Sequence, residues 1–266
     1  MNTSKKTHLR SWLDTLSAHG RSCFTKKEAL KALRITPVAL KLTLLRQTKA
    51  GVLAKPKSGF YVIVDPPHRS LGCLPPEWII SDLMAYMKLP YYVGGLSAAV
   101  NQGASHQAVQ ELQVVVPNMR TGLRSIVCGK VRIRFLRKSI FKSAQSVDFK
   151  TPTGDIKISD PETTAWDLVF FSKSMGGLDN VATVLKDLAE VMDAKKLKHT
   201  LNAHGDQLTA RRLGYILQYL KLKELSQACL TKSNYPQRLL DPSVDASLEV
   251  DATWNLVINH QLDPDL

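Results

Sequence analysis

Acid is scarce in the first 75 residues. Only Asp14, Glu28 and Asp65 stand against 14 lysines and arginines there, a balance of +11. The rest of the chain holds 22 bases and 20 acids, or +2, so nearly all of the overall +13 sits in one segment. Cysteine is sparse as well: Cys23, Cys73, Cys128 and Cys229 lie far apart and form no CxxC pair. Structural zinc needs closely spaced ligands and a disulfide framework needs denser cysteine, so neither is expected. No apolar run approaches the roughly 20 residues that span a bilayer. The start, MNTSKKTHLRSW, lacks the uninterrupted apolar core of a secretory signal. Gly94-Gly95 and Gly176-Gly177 fall outside the GxxxxGKS/T and GxGxxG patterns that cradle phosphate. The expectation is a cytoplasmic protein with reduced thiols, no membrane association, no metal and no cofactor.

What remains is ordinary globular material, 44% hydrophobic and 22% charged over 266 residues. That length suits one large or two ordinary domains, at roughly 100 to 200 residues each. Leu9, Trp12, Leu13 and Leu16 recur at the spacing of one buried helical face, which predicts a first helix over residues 8–18, closed by Gly20. Thr25 stands three residues before Glu28, the signature of a capping box, and Ala29, Leu30 and Leu33 supply that second helix with an inner face. Thr36 and Pro37 cap and open a third helix, which Gly51 ends. Residues 52–55 and 60–64 read as strands around Pro56, Lys57, Ser58 and Gly59, a basic hairpin. Helix, turn, helix and hairpin in that order is the layout of a winged helix-turn-helix.

Pro66-Pro67 and Pro75-Pro76 bracket a linker, which divides the chain into a winged helix over residues 1–75 and a larger α+β domain over 76–266. In the second part, helices are expected near Glu77 and after Asp160-Pro161. Strands are expected over 112–117, 126–136 and 155–159. Val131, Ile133 and Phe135 alternate with Lys130, Arg132 and Arg134, giving one apolar and one basic sheet face. Val181, Val184, Leu185, Leu188, Val191 and Met192 form an amphipathic stripe, and Leu213, Ile216, Leu217 and Leu220 another. From Asp241 onward there are six acids and no Lys or Arg, yet Trp254, Leu256, Val257 and Ile258 argue that this tail docks.

A helix fits the major groove of B-DNA, while the helix before it crosses the backbone. Thr36, Lys41, Arg46 and Lys49 on the third helix are therefore candidates for base edges. Lys26 and Lys27, at the start of the preceding helix, are placed for phosphate, where the helix terminus adds its own pull on anions. Lys55, Lys57 and Ser58 on the hairpin could follow an adjacent groove or backbone. Surface lysines alone commonly form nothing more than a solvated helix face; layout and charge together favour double-stranded DNA. Val38, Leu40, Leu42, Leu44 and Leu45 make the third helix apolar on more than one side, so either it packs on the second domain or its reading face is narrow. A second basic cluster holds Arg120, Arg124, Lys130, Arg132, Arg134, Arg137, Lys138, Lys142 and Lys150. It reads either as a solvated sheet face or as a further electropositive surface, with Lys130, Arg132 and Arg134 at its centre.

Catalytic chemistry has little support. Asp155-Ile156-Lys157, with Asp148 upstream, has the D-x-K spacing of a Mg²⁺-dependent nuclease. Asp193-Ala194-Lys195 shows the same spacing inside an ordinary helix, so the pattern is cheap. The seven histidines fall singly, and His199 and His204 read as surface residues beside a loop. No enzyme is expected.

Several further pieces occur in a specific order: Gly59-Phe60-Tyr61-Val62, then Tyr91-Tyr92-Val93-Gly94-Gly95-Leu96-Ser97-Ala98-Ala99 with Gly103. Ile158-Ser159-Asp160-Pro161-Glu162-Thr163-Thr164 with Asp167 follows, and then Arg211-Arg212-Leu213-Gly214-Tyr215. Over residues 7–222 this order resembles the AbiEi family of transcriptional-regulator antitoxins, from bacterial abortive-infection and type IV toxin–antitoxin systems. Thr163 stands where that family usually has arginine, so no role of that arginine carries over. The resemblance implies a cytoplasmic, cofactor-free repressor that binds inverted repeats in its own promoter and neutralises a cognate nucleotidyltransferase-like toxin. Most of the matching pieces read as fold signatures: a helix start, a tight strand-to-helix turn and the beginning of a buried helix. A plain winged-helix regulator with a sensor domain, and the Mg²⁺-dependent nuclease, are the alternatives.

Overall fold

The computed structural model describes residues 8–104, 110–118, 123, 125–141, 144–230, 235–244 and 249–264. The chain begins with helix α1 (Leu9–Ala18), strand β1 (Cys23–Thr25), helices α2 (Lys26–Leu33) and α3 (Pro37–Lys49), and strands β2 (Leu53–Lys57) and β3 (Phe60–Ile63). The strands form an antiparallel sheet in the order β1-β3-β2. Three helices on a small antiparallel sheet make a winged helix. The capping box is present in full: Glu28 N donates to Thr25 Oγ1 at 3.1 Å and Thr25 N donates to Glu28 Oε2 at 2.6 Å. Thr36 Oγ1 likewise accepts from Ala39 N at 3.3 Å, with Pro37 in the first turn. Leu13, Leu16, Phe24, Ala29, Leu33, Leu40, Leu44 and Leu53 close the core between helices and sheet.

The hairpin differs slightly from expectation. β2 runs through Lys57 and carries a bulge between Ala54 and Lys57, which accommodates Pro56, a residue with no N–H to give the ladder. That leaves a two-residue turn, Ser58-Gly59. Strand β1 is three residues long, too short to show alternation in the sequence.

Helix α4 (Pro76–Met87) leads to strand β4 (Tyr92–Val93), helix α5 (Gly95–Asn101) and strands β5 (Leu112–Pro117), β6 (Ser125–Cys128), β7 (Val131–Lys138), β8 (Ser146–Thr151) and β9 (Gly154–Ser159). They form one mixed sheet, β6-β7-β5-β4-β9-β8, parallel at β5/β7 and β4/β9 and antiparallel elsewhere. The run expected as one strand over 126–136 is a hairpin that turns at Gly129-Lys130. β8 was not expected because nearly every residue in it is exposed, so it carries no burial signal. Helices α6 (Pro161–Phe170), α7 (Leu178–Leu188), α8 (Ala194–His204), α9 (Gln207–Tyr219) and α10 (Lys223–Ala228) follow, then a small sheet of β10 (Arg238–Leu239), β11 (Glu249–Asp251) and β12 (Leu256–Ile258). The whole is an α+β protein.

The pleat divides the core into two layers. On β5, Val115 faces the layer of α6, α7 and α9, with Trp166, Val181, Leu185 and Ile216. Leu112, Val114 and Val116 face the other side, with Ile79, Leu83 and Met84 of α4. Cys23, Ala54, Phe60, Val62 and Val64 of the winged helix join that second layer. One continuous core therefore crosses the expected boundary at residue 75. The acidic tail docks as expected: Trp254 and Leu256 are buried, and Trp254 Nε1 donates to Gln218 Oε1 at 2.9 Å.

Candidate nucleic-acid interface

Lys26, Lys27, Thr36, Lys41, Arg46, Lys49, Lys55, Lys57 and Ser58 are all solvent-exposed on α2, α3 and the hairpin. α3 contains no acid, and Leu40 and Leu44 are the buried residues that hold it against the core. Its opposite face carries Val38 (69% exposed), Leu42 (48%) and Leu45 (49%), flanked by Lys41 and Arg46. The extra apolar residues of α3 thus do not pack on the larger sheet; they face outward.

Two local details correct the expected picture. The start of α2 is not an open anion site. Its Lys26 N–H donates to Gly59 O at 2.8 Å, and the Glu28 carboxylate already sits against the first turn. Burial works against that carboxylate, but the Arg21 hydrogen bond and the Thr25 N–H outweigh it and hold Glu28 below its ordinary range. Any phosphate contact here falls to the lysine side chains, not to the helix terminus. Thr36 is similarly engaged as a cap acceptor, which leaves its hydroxyl proton and one lone pair to offer.

The hairpin is held from beneath. Tyr86 on α4 donates its hydroxyl to Ser58 O at 2.8 Å, and its ring lies 5.4 Å from that of Phe60. Gly59 adopts φ +82°, and a Cβ there would stand 2.5 Å from the Tyr86 hydroxyl, so a side chain at this turn would be strained and would displace Tyr86. On its outer edge, β2 meets β6.

The second basic cluster is partly dismantled. Lys130, Arg132, Arg137 and Lys150 are exposed, whereas Arg134 is half-buried and bonds Glu111 Oε1 at 3.1 Å and Ser174 Oγ at 3.2 Å. Lys138 is wholly buried and belongs to no surface. Arg120, Arg124 and Lys142 lie outside the described residues.

The nuclease set is a solvated ladder. Asp148 stands opposite Lys157 on the exposed face of β8 and β9 and pairs with it at 2.6 Å, while Asp155 stands opposite Lys150. Among the described residues, no group of three His, Cys, Asp or Glu could hold a metal ion. His199 is exposed, but His204, expected at the surface, is buried against the Trp166 ring at 4.5 Å because α8 continues through it to Gly205.

Sequence reasoning missed the polar centre beneath the sheet. Lys138 Nζ contacts Asp167 Oδ1 at 2.6 Å and donates to Tyr92 Oη at 3.1 Å; Tyr92 in turn donates to Asp167 Oδ2 at 2.9 Å. The Lys138 ammonium also lies 4.1 Å from the Trp166 ring centroid. Burial pushes Asp167 up and Lys138 down from their ordinary values, and the mutual attraction acts against both shifts. Thr163 is buried and accepts from Gln145 N at 3.1 Å. Arg211 reaches Pro236 O and Asn255 O, both at 3.3 Å, and Arg212 reaches Leu239 O at 2.8 Å, so these arginines pin the tail to α9. The ordered pieces Tyr92, Gly94, Asp160 and Asp167 were the only signal: distant in sequence, they converge on this centre.

Among the described residues, no helix is long and apolar enough to cross a membrane. No curated protein matches the sequence. The crystal structure of the RV2827C protein from Mycobacterium tuberculosis superposes with a TM-score of 0.67 at 15% identity, covering 92% of this chain and 89% of that one. It shares the fold. An antigenic nucleotidyltransferase-like protein from Paracoccidioides brasiliensis aligns over 57% of this chain and 89% of its own at 8% identity, but its TM-score of 0.35 is too low to bear on the fold. Residues 92–219, from the Tyr92 hydroxyl of the buried centre to the end of α9, match the family model described as the AbiEi antitoxin C-terminal domain.

Proposed function

We propose that this protein is a DNA-binding autorepressor and antitoxin. Residues 1–75 form the DNA-binding domain and residues 76–266 the domain that neutralises a cognate nucleotidyltransferase-like toxin. The observation that carries the DNA reading is that all nine candidate side chains emerge on α2, α3 and the hairpin, in the segment that holds +11 of the chain's +13 charge. Lys26 and Lys27 contact phosphate, as do Lys55 and Lys57 with Ser58 at the hairpin. Thr36, Lys41, Arg46 and Lys49 border the groove-facing side of α3. The site of action is the protein's own promoter, at inverted repeats that two copies occupy. Lys130 and Arg132 extend the basic surface on the larger sheet, with Arg134 held back by Glu111. The antitoxin reading rests on the family match of residues 92–219, and it requires no catalysis, cofactor or membrane.

Binding of the full chain to its upstream DNA, measured as a function of salt, tests the first part. Neutralising ~6 phosphates lowers affinity by about 10³ between 50 and 200 mM salt; a flat profile would overturn it. Co-expression with the adjacent toxin tests the second: growth is rescued, and failure of rescue by a well-expressed chain would leave a plain regulator.

A further inference from the structure

We propose that α3 reads thymine: Val38, Leu42 and Leu45 cover the 5-methyl groups that thymine presents in the major groove. The proposal rests on the DNA-binding reading above and specifies what that helix recognises. Val38, Leu42 and Leu45 are spaced i, i+4 and i+7, which puts them within an arc of about 60° on one helix face. That face points away from the core, between Lys41 on one side and Arg46 on the other, with Lys49 nearer the C-terminal end. None of the three can donate or accept a hydrogen bond. The centre of the reading face therefore cannot distinguish bases through their polar edges. The one apolar feature on the major-groove floor is the thymine methyl.

Charge argues for this occupant over a second copy of the chain. α3 has cations along its flanks and no acid. Two copies meeting through this stripe would bring Lys41, Arg46 and Lys49 against their own kind. Duplex DNA instead offers apolar thymine methyls on the groove floor between two walls of phosphate. Direct readout would accordingly centre on T·A pairs, with Lys41, Arg46 and Lys49 supplying affinity at the margins.

The test compares the protein's upstream DNA amplified with thymidine triphosphate and the same fragment amplified with deoxyuridine triphosphate, which removes only the methyl groups. For the full chain, affinity should fall about fourfold for each methyl group lost, while the salt dependence stays unchanged because the phosphates are the same. A Leu42→Ser, Leu45→Ser variant should bind more weakly and should scarcely distinguish the two fragments. Equal affinity of the wild-type chain for both fragments overturns the thymine proposal and leaves DNA binding intact. Failure to bind either fragment at 50 mM salt overturns the DNA reading, and the proposal falls with it. If the variant loses affinity on uracil DNA by the wild-type factor, the effect belongs to duplex shape and the proposal fails. A wild-type dimer that dissociates in the variant would instead make the stripe an interface between copies. Both leucines are exposed, so the substitution should leave thermal unfolding unchanged; Val38→Ser provides a second, independent reading.

Discussion

Lys138 and Asp167 form an ion pair of 2.6 Å in which both side chains are fully buried. Taking two charges out of water costs more than their attraction usually returns, and burial displaces both groups toward their neutral forms. Removing one partner strands the other, so Lys138→Met should destabilise the fold by about 3 to 5 kcal/mol. The double variant Lys138→Met, Asp167→Leu should recover most of that loss. Urea unfolding of the two variants measures the difference; additive losses would show that the pair is not energetically coupled.

His204 links stability to pH. Its Nδ1 lies 2.8 Å from Thr200 O, and since a carbonyl only accepts, Nδ1 carries the proton. Burial, with the positive charge of Lys138 adding to it, pushes the imidazole down to about 4. An unfolded chain takes up this proton near pH 6.5, whereas the folded chain resists until about pH 4. The contribution is complete above pH 6.5 and is lost as pH falls toward 4, on the order of 2 to 3 kcal/mol. His204→Asn keeps a donor for Thr200 and should flatten this part of the stability profile, which denaturation between pH 4.5 and 7.5 would reveal.

Gly214 lies under Trp254. A Cβ at this position of α9 would collide with the indole and stand 2.8 Å from the Cys229 Cβ. Gly214→Ala should therefore cost about 3 kcal/mol. The loss should appear first as faster amide exchange in Leu256–Ile258, with the six-stranded sheet still protected.

Cys128 is the thiol expected to react first. A hydrogen bond from Cys73 holds it down to about 7, with the Lys55 N–H helping against burial. Burial pushes Cys23 and Cys229 up to about 12. Alkylation at pH 7.5, read by mass spectrometry, should label Cys128 first, and Cys73→Ala should move its rate profile to higher pH.

On DNA, Lys41→Ala and Arg46→Ala should each reduce the salt dependence by about one phosphate equivalent if they contact the backbone, or relax base preference if they contact a base edge. Undiminished affinity on both measures would move the reading surface elsewhere.

The winged helix was legible because its punctuation is local. Thr25 with Glu28, Thr36 with Pro37, and Gly59 each fix a boundary through residues within a few positions. What the sequence concealed was long-range. Lys138 looked like one more base on a basic strand; only the fold places it beside Asp167 and Tyr92, 29 and 46 residues away. His204 looked like a loop residue because Asn202 and Gly205 suggest a turn, but Gly205 at φ +66° marks the end of α8 one residue later. Cys73 and Cys128 gave no sign of proximity, since nothing in their spacing reports that the linker crosses the β6–β7 turn. The outward stripe of α3 was visible as an excess of leucine, but its direction depends on which face Leu40 and Leu44 occupy.

The floor shared by the hairpin and α4 has a consequence for how this protein can be taken apart. Phe60, Val62 and Val64 rest on Ile79, Leu83 and Met84, and Tyr86 grips the turn above them. The winged helix is therefore not a detachable cassette. Cut free at the linker, it would present a greasy underside to water, and grafted elsewhere it would need α4 to travel with it.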